Sequence, residues 1–368
     1  MRMLYLSCEF CLKSILENAF ECVILMVEVK RMVRTTIRDV ARQAGVSITT
    51  VSKALNDYSD VNPETRKRIQ EIADKLNYVP NAAGRTMGGK ADTVIGLLIN
   101  DLKPTDPSGA VYGILSGVYH ACQDNGVEFI LLTTDTLQQK QQSLKVLCLK
   151  KQLSGLICSG FRTSDRYMEQ LGDIDIPCAF IDMRTPDSRV LDITIDNARA
   201  ACDAVTHLLR CGRRNIAMVN GSTVADVSVL RESGYRRAME KAGLEVRPER
   251  VIYANFDDLM AYNKVWRLLQ DDPEIDALFC ASDLMAIGAC RAAEDLGLAV
   301  GKDILVSGFD DIPIAKYLYG GLTTIRQNFY RMGYTAGRAI YDKIEGTDKA
   351  HMDDVMYELV VRGSARAN

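Results

Sequence analysis

The sequence predicts a small all-α head joined to a larger α/β body built on parallel sheets. Three observations carry this. Residues 36–56 read as two short helices joined by a glycine turn. From Thr93 onward, short apolar runs alternate with amphipathic stretches. Charge is unevenly spread: residues 34–90 hold ten Lys and Arg against six Asp and Glu, while residues 91–368 hold 31 against 38. A basic head on an acidic body suits a protein that touches a polyanion with one end.

In the head, Ile37, Val40, Ala41 and Ala44 recur at helical spacing and give one apolar face. Gly45 follows, free to take the left-handed conformation that stops a helix. Ser47 can cap a second helix, its hydroxyl accepting from the amide of Thr50. Val51 and Leu55 face inward with Val46, which leaves Ile48, Thr49, Ser52 and Lys53 pointing outward. Two short helices at a glycine turn, the second with small and basic residues outside, form the helix-turn-helix pattern. A third helix starts where Asn62 caps and Pro63 takes the first position. Its buried stripe is Ile69, Ile72, Ala73 and Leu76. The head domain is expected over residues 34–79.

Residues 80–91 form a connector that Pro80 opens and Gly88-Gly89 loosen. Gly84, Gly89 and Lys90 match most of a phosphate-binding loop, but Ala91 replaces its Ser/Thr and no strand precedes it. Residues 1–31 mix apolar residues with Glu9, Lys13, Glu17, Glu21 and Glu28. These charges interrupt any apolar span of membrane length, and no signal-peptide pattern is present. We expect Met32 to be the biological start and 1–31 to be a non-native or unstructured extension. A peptide from before Met32 in the native protein would contradict this.

Most of the 11 cysteines sit in apolar runs (Cys122, Cys148, Cys158, Cys280, Cys290), as reduced, buried thiols of a cytosolic protein do. Cys8 and Cys11 form a lone C-x-x-C without a second pair. None of the three histidines falls in a metal or triad pattern.

In the body, apolar runs at 94–99, 129–132, 156–158, 179–181, 216–219, 277–281 and 305–309 read as strands. Helices are expected near 109–124, 138–151, 164–172, 229–242 and 283–296. Such alternation implies parallel sheets covered on both faces, with ligands bound beyond the carboxyl ends of the strands. No Gly-x-Gly-x-x-Gly follows a strand, and neither Gly-x-Ser-x-Gly nor His-Glu-x-x-His occurs. A dinucleotide enzyme and the common hydrolases are therefore disfavoured, and no cofactor is expected.

The motifs, taken together, are specific. Ile37-Arg-Asp-Val-Ala, Gly45-Val-Ser, Thr50-Val-Ser-Lys and Leu55-Asn56 lead to Val61-x-Pro-Glu-Thr-Arg and Leu76-Asn-Tyr-x-Pro-Asn81. Asp196-Asn197, Gly212-Arg-Arg-x-Ile216, Arg231-x-x-Gly-Tyr235, Ser282-Asp-Leu-Met-Ala-Ile-Gly288, Gly308-Phe-Asp-Asp-Ile-Pro313 and Leu322-Thr-Thr-Ile-Arg-Gln327 follow in order. From about Thr35 to Val361 the chain resembles the LacI/GalR family of bacterial transcription regulators. The resemblance implies a helix-turn-helix head, a hinge helix at 80–91 and a two-lobed core like the periplasmic binding proteins over 92–368. Lobe 1 would be about 92–194 and 325–350, and lobe 2 about 195–323 and 352–363. Tetrameric members carry a C-terminal leucine-rich helix, and this chain stops at Asn368 without one, so a homodimer is expected.

The resemblance also implies site residues. Ile48, Thr49 and Lys53 match the base-reading positions, where Lys53 can donate to guanine and Ile48 can pack on a thymine methyl. Thr36, Ser47, Thr50 and Asn56 match backbone contacts, which fix register. Asn81, Ala82, Arg85 and Met87 match the hinge in the minor groove, with Met87 at the wedge position. Gly84 replaces the usual Ala, which makes the hinge helix more dependent on DNA. Arg231, Asp310, Ser282, Phe256, Asp196 and Asp101 match the ligand pocket, with chemistry suited to a sugar. Met183 replaces a common Arg, Gly320-Gly321 a common Pro-Pro, and 100–106 departs from the usual Asn-Pro-Phe stretch.

The function implied is a cytoplasmic, dimeric repressor without membrane attachment. It would bind a pseudo-palindromic double-stranded operator under control of a carbohydrate effector between the lobes. The competing class, a solute-binding protein without DNA activity, calls for a secretion signal and no basic head.

Overall fold

A computed structural model describes residues 37–55, 58, 61–76, 93–103, 108–347 and 355–366. It divides into two compact units, Met1–Asp92 and Thr93–Asn368. The hinge, with Asn81, Ala82, Arg85 and Met87, lies outside the described residues, as do Thr36, Asn56 and the extension 1–31.

The first unit holds α1 (Ile37–Ala44), α2 (Ile48–Leu55) and α3 (Pro63–Lys75). Gly45 ends α1 at φ 65°. The Ser47 hydroxyl accepts from the Thr50 amide at 3.0 Å, and Asn62 accepts from the Glu64 amide at 2.9 Å, so both caps form. Val40, Ala41 and Ala44 pack on Val51, Ala54, Ile69 and Ala73 in one small core. Ala54 takes a fully buried place, whereas Leu55 and Val46, expected inward, are half-buried at its edge.

The second unit contains two sheets. In the first, β1 (Val94–Asn100), β2 (Glu128–Thr134), β3 (Gly155–Ser159), β4 (Cys178–Ile181) and β5 (Val190–Ile193) are all parallel, in the order β2-β1-β3-β4-β5. The second comprises β6 (Ile216–Asn220), β7 (Val251–Tyr253), β8 (Ala277–Cys280), β9 (Leu305–Asp310), β10 (Thr323–Gln327) and β11 (Tyr357–Val360). Its order is β11-β10-β9-β8-β6-β7, and only β11 runs antiparallel. Every residue of β1, β6 and β8 is buried. Parallel strands covered on both faces read as unbroken apolar runs, which is why these were visible in the sequence.

The helices are α4 (Ala110–Asp124), α5 (Thr136–Gln141), α6 (Leu144–Lys150), α7 (Arg166–Glu169), α8 (Asn197–Arg210), α9 (Asp226–Lys241), α10 (Asp258–Asp271), α11 (Asp283–Asp295) and α12 (Phe329–Ile344). The single helix expected over 138–151 is two. Asp135 caps α5 through the amides of Leu137 and Gln138, Gln142 is extended, and Ser143 caps α6 through the amide of Val146. The stretch expected at 164–172 holds only the four residues of α7 and a 3₁₀ turn at Leu171–Asp173.

The chain crosses between the sheets after β5, after β10 and again before β11. The second crossing begins at Asn328 rather than near 325, because β10 stays paired with β9 and β11 through Arg326. Asn328 then caps α12 by accepting from the Arg331 amide at 2.9 Å. Met332, Ala336 and Ile340 of α12 join Ile95, Leu97 and Ile157 in the first lobe's core. The eight described cysteines are free, and all but Cys211 are buried. Burial pushes the Cys122 and Cys148 thiols up to about 11.

α4 and α12 approach closely at Gly117 and Gly333. A Cβ on Gly117 would overlap the Tyr330 carbonyl oxygen and lie 2.6 Å from the Tyr334 nitrogen. Because that neighbour is backbone, nothing flexible can yield. Gly117→Ala is expected to destabilise the core by about 1–3 kcal/mol, read as a lower urea midpoint at constant m. Gly172→Ala, whose Cβ would meet only Arg189 at 3.6 Å, is the near-neutral control.

Candidate functional site

The strands' carboxyl ends are where the backbone is strained. Of eight described non-glycine residues with positive φ, six stand at strand exits: Asp101 (54°), Asp182 (57°), Asn255 (50°), Phe256 (59°), Asp310 (116°) and Asp311 (56°). Left-handed conformations at such residues cost on the order of 1–3 kcal/mol each and persist only where surrounding packing imposes them. The exits of the two sheets also meet. The Thr163 amide, after β3, donates to the Val224 carbonyl at 3.4 Å, and Arg184, after β4, bonds Asp226 at the start of α9.

Arg231 lies at the centre of the second lobe's exits. Ser228, Arg231, Gly234, Tyr235 and Ala238 recur at three- and four-residue spacing along the buried face of α9. Arg231 is only 3% exposed. Its Nε donates to Asn197 Oδ1 at 2.8 Å and its Nη1 to the Ala281 carbonyl at 2.6 Å. The guanidinium carbon stands 3.7 Å from the centroid of the Phe309 ring. Asp310 Oδ1 is 4.0 Å from Nη1, a loose ion pair. Burial lowers the arginine's pKa, while Asp310, Asp182 and Asp283 oppose that shift.

Asp310 accepts from Gln327 Nε2 at 2.7 Å. Gln327 Oε1 is buried and has no hydrogen-bond partner among the described residues. Asp182 reaches the cluster from the first lobe, and burial raises its carboxyl while Arg231 and the Thr194 hydroxyl lower it. Asp283 is fully buried, accepting from Thr324 Oγ1 at 2.6 Å and from the Ile312 amide at 2.9 Å. Burial holds it well above the usual carboxylate range, with Asp310 adding to the rise.

Of the pocket residues expected from sequence, Arg231 and Asp310 are brought together. Phe256 is half-buried with its ring pressed on Gly221. Ser282 and Asp196 act as helix caps, accepting from the amides of Met285 (3.3 Å) and Arg199 (2.9 Å). Asp101 pairs with Arg162 at 3.4 Å. Behind it, Asn100 donates to Asp165 at 2.9 Å and accepts from Gln139 at 3.0 Å, which fixes the exit of β1. Sequence reasoning missed Asp182, Gln327 and Asn197 as members of the cluster. The Asp182 signal was a carboxylate directly after the apolar run of β4.

In the head, Ile48 is 44% exposed and Thr49 is exposed, whereas Lys53, expected outward, is half-buried on α2. Ser47 and Thr50 share a hydroxyl–hydroxyl bond of 2.8 Å at the start of that helix.

Residues 36–81 match the model of bacterial regulatory proteins of the lacI family, and residues 205–365 match a periplasmic binding protein-like domain. Catabolite control protein A of Priestia megaterium is 32% identical over 307 residues, which cover 83% of this chain and 91% of that protein. The chain belongs to the LacI family. The transcriptional repressor PurR of Serratia proteamaculans is 31% identical over 334 residues, covering 89% of this chain and 96% of that one. A CelR–cellobiose complex superposes with a TM-score of 0.68 at 28% identity, covering 90% of this chain and all of its own. A lac repressor dimer bound to operator and the anti-inducer ONPF shares the fold, with a TM-score of 0.75 at 24% identity over 90% of this chain and 99% of that one. As a LacI-family member carrying both domains, the chain is a DNA-binding transcriptional regulator. No helix among its described residues is long and apolar enough to cross a membrane.

Asp283 makes this site pH-sensitive in stability. A carboxyl raised by burial keeps its proton in the folded state after the unfolded chain has released it, near pH 4. Its contribution is therefore full below about pH 4 and is lost as pH rises toward the raised value. The stability advantage of wild type over Asp283→Asn should shrink between pH 4 and pH 8 in urea denaturation. An advantage that grows with pH would mean the carboxylate is charged in the folded core.

Proposed function

We propose that the chain is a dimeric repressor whose paired heads read a two-fold operator and whose core is switched by a neutral sugar between the lobes. The observation that carries the effector reading is the cluster of Arg231, Asp310 and Gln327. A buried guanidinium, a carboxylate and an unpartnered amide oxygen offer both donors and acceptors to vicinal hydroxyls. Carboxylates outnumber cations around Arg231, so an anionic ligand would meet repulsion that a polyol does not. Phe256 supplies an aromatic wall. That CelR forms a complex with cellobiose supports the same chemistry here. Ser282, Asp196 and Asp101 edge the cleft as its scaffold.

On DNA, α2 enters the major groove. Ile48, Thr49 and Lys53 read bases, Thr36, Ser47, Thr50 and Asn56 hold the backbone, and Asn81, Ala82, Arg85 and Met87 act in the minor groove. Self-association is supported by an exposed apolar flank. Tyr112 and Tyr119, seven apart on α4, are 74% and 44% exposed, and Tyr119 packs on Phe129 of β2 beside exposed Leu131. The site of action is the cytoplasm, where the operator is. The effector binds one lobe arrangement better than the other and so shifts the population of operator-competent dimers.

A mobility-shift assay on the protein's own upstream region, with and without neutral sugars, tests the whole reading. Absence of binding at low salt overturns it, because phosphate contacts are strongest there. Lys53→Ala should weaken operator binding about 10- to 100-fold, the worth of one base contact, while non-specific binding falls far less. Equal losses would make Lys53 a phosphate contact. Arg231→Gln should leave operator binding intact and raise the sugar concentration needed for the response at least about tenfold, because Asp310 is left without its cation.

A further inference from the structure

We infer that Arg184 and Asp226 form a latch that holds the two lobes closed on one another. Arg184 follows the last strand residues of β4 in the first lobe, and Asp226 is the first residue of α9 in the second. Three donors converge on one carboxylate: the Arg184 backbone amide (3.2 Å), its Nε (3.1 Å) and its Nη2 (3.2 Å). This is a forked, charge-assisted contact that fixes orientation as well as distance. Asp226 is itself well placed, since a carboxylate in the first turn favours the positive end of a helix. Its side chain is 15% exposed and that of Arg184 is 53% exposed, so salt screens the pair only in part.

The exit of β4 carries Asp182 and then Arg184, while α9 carries Asp226 and then Arg231. Arg184 and Asp226 are in direct contact, whereas Asp182 and Arg231 are the next charges along the two elements. Arg231 cannot swing, because it is tied to Asn197 and the Ala281 carbonyl. Opening therefore moves α9 as a unit and must break the Arg184–Asp226 pair.

The part of this latch in gating the effector rests on the reading of the cleft given above. Its existence is tested without sugar or operator, so the two can fail separately. Hydrogen exchange and small-angle scattering would be measured on the full chain for wild type, Arg184→Met, Asp226→Ala, their double variant and the charge-swapped pair Arg184→Asp with Asp226→Arg. Each single variant should speed amide exchange about tenfold across 182–186 and 223–227 and enlarge the radius of gyration. The double variant should do no more than either single one, and the charge swap should restore part of the closure. Molar salt should open wild type in part and leave Asp226→Ala unchanged. An unaltered radius with faster exchange at the Arg184 amide alone, additive single effects, or a charge swap that recovers nothing would each overturn the latch.

Discussion

The second lobe depends on keeping a guanidinium out of water. A buried charge without partners costs several kcal/mol, and Arg231 avoids that cost by drawing on three separate places in the chain. Asn197 opens α8, Ala281 follows β8, and Phe309 and Asp310 close β9. A single side chain on α9 thus sets the relative positions of three strand or helix ends. The Asp310 contact at 4.0 Å is the loosest of these, and the tight bonds are to neutral oxygens. Orientation therefore comes from Asn197 and Ala281, and the Asp310 contact is the one most easily exchanged for another partner.

Rigid lobes follow from close helix packing. α12 lies against α4 with glycines on both sides, and α9 crosses α8 where Gly234 meets the Ala198 carbonyl. Backbone in contact with backbone leaves no soft side chains to absorb a displacement. In the proposed switch, two stiff bodies joined in this way would respond to a ligand by changing their mutual angle, a two-state element that binding can bias.

What the sequence disclosed divides along the range of the interactions. Caps at Ser47 and Asn62 and the turn at Gly45 are fixed within three or four residues, and they formed as read. β1, β6 and β8 were visible because burial on both faces leaves no polar alternation, whereas the half-buried β5, β7 and β11 and the polar β10 were not read as strands from their apolar runs. The break at Gln142 was also local: Asp135 and Ser143 are both cap residues, but the apolar periodicity across 138–151 outweighed them in reading one helix. Site residues behave differently. Arg231 and Asp310 are 79 positions apart, and only the family resemblance linked them before the fold did. Asp182, Gln327 and Asn197 join the cluster through chain crossings that no spacing rule encodes. Asp196 and Ser282 show the converse, since their visible hydrogen bonds are the local i to i+3 caps that their sequence positions allow.

The head's size argues for the two-fold arrangement on energetic grounds. α2 has eight residues and presents three candidate base-reading side chains, of which one is half-buried. Each good base contact discriminates by about 1–3 kcal/mol. Specific sites are bound about 4–10 kcal/mol more tightly than non-specific DNA. Three base contacts on one head, about 3–9 kcal/mol, fall short of the top of that range, and its phosphate contacts are shared by every sequence. Two heads on one operator double the specific contribution, and a body that holds them at a fixed spacing converts the second contact into an intramolecular event. In the proposed switch, control by a small molecule needs no contact with DNA: altering the spacing between heads would remove that advantage while leaving each head folded.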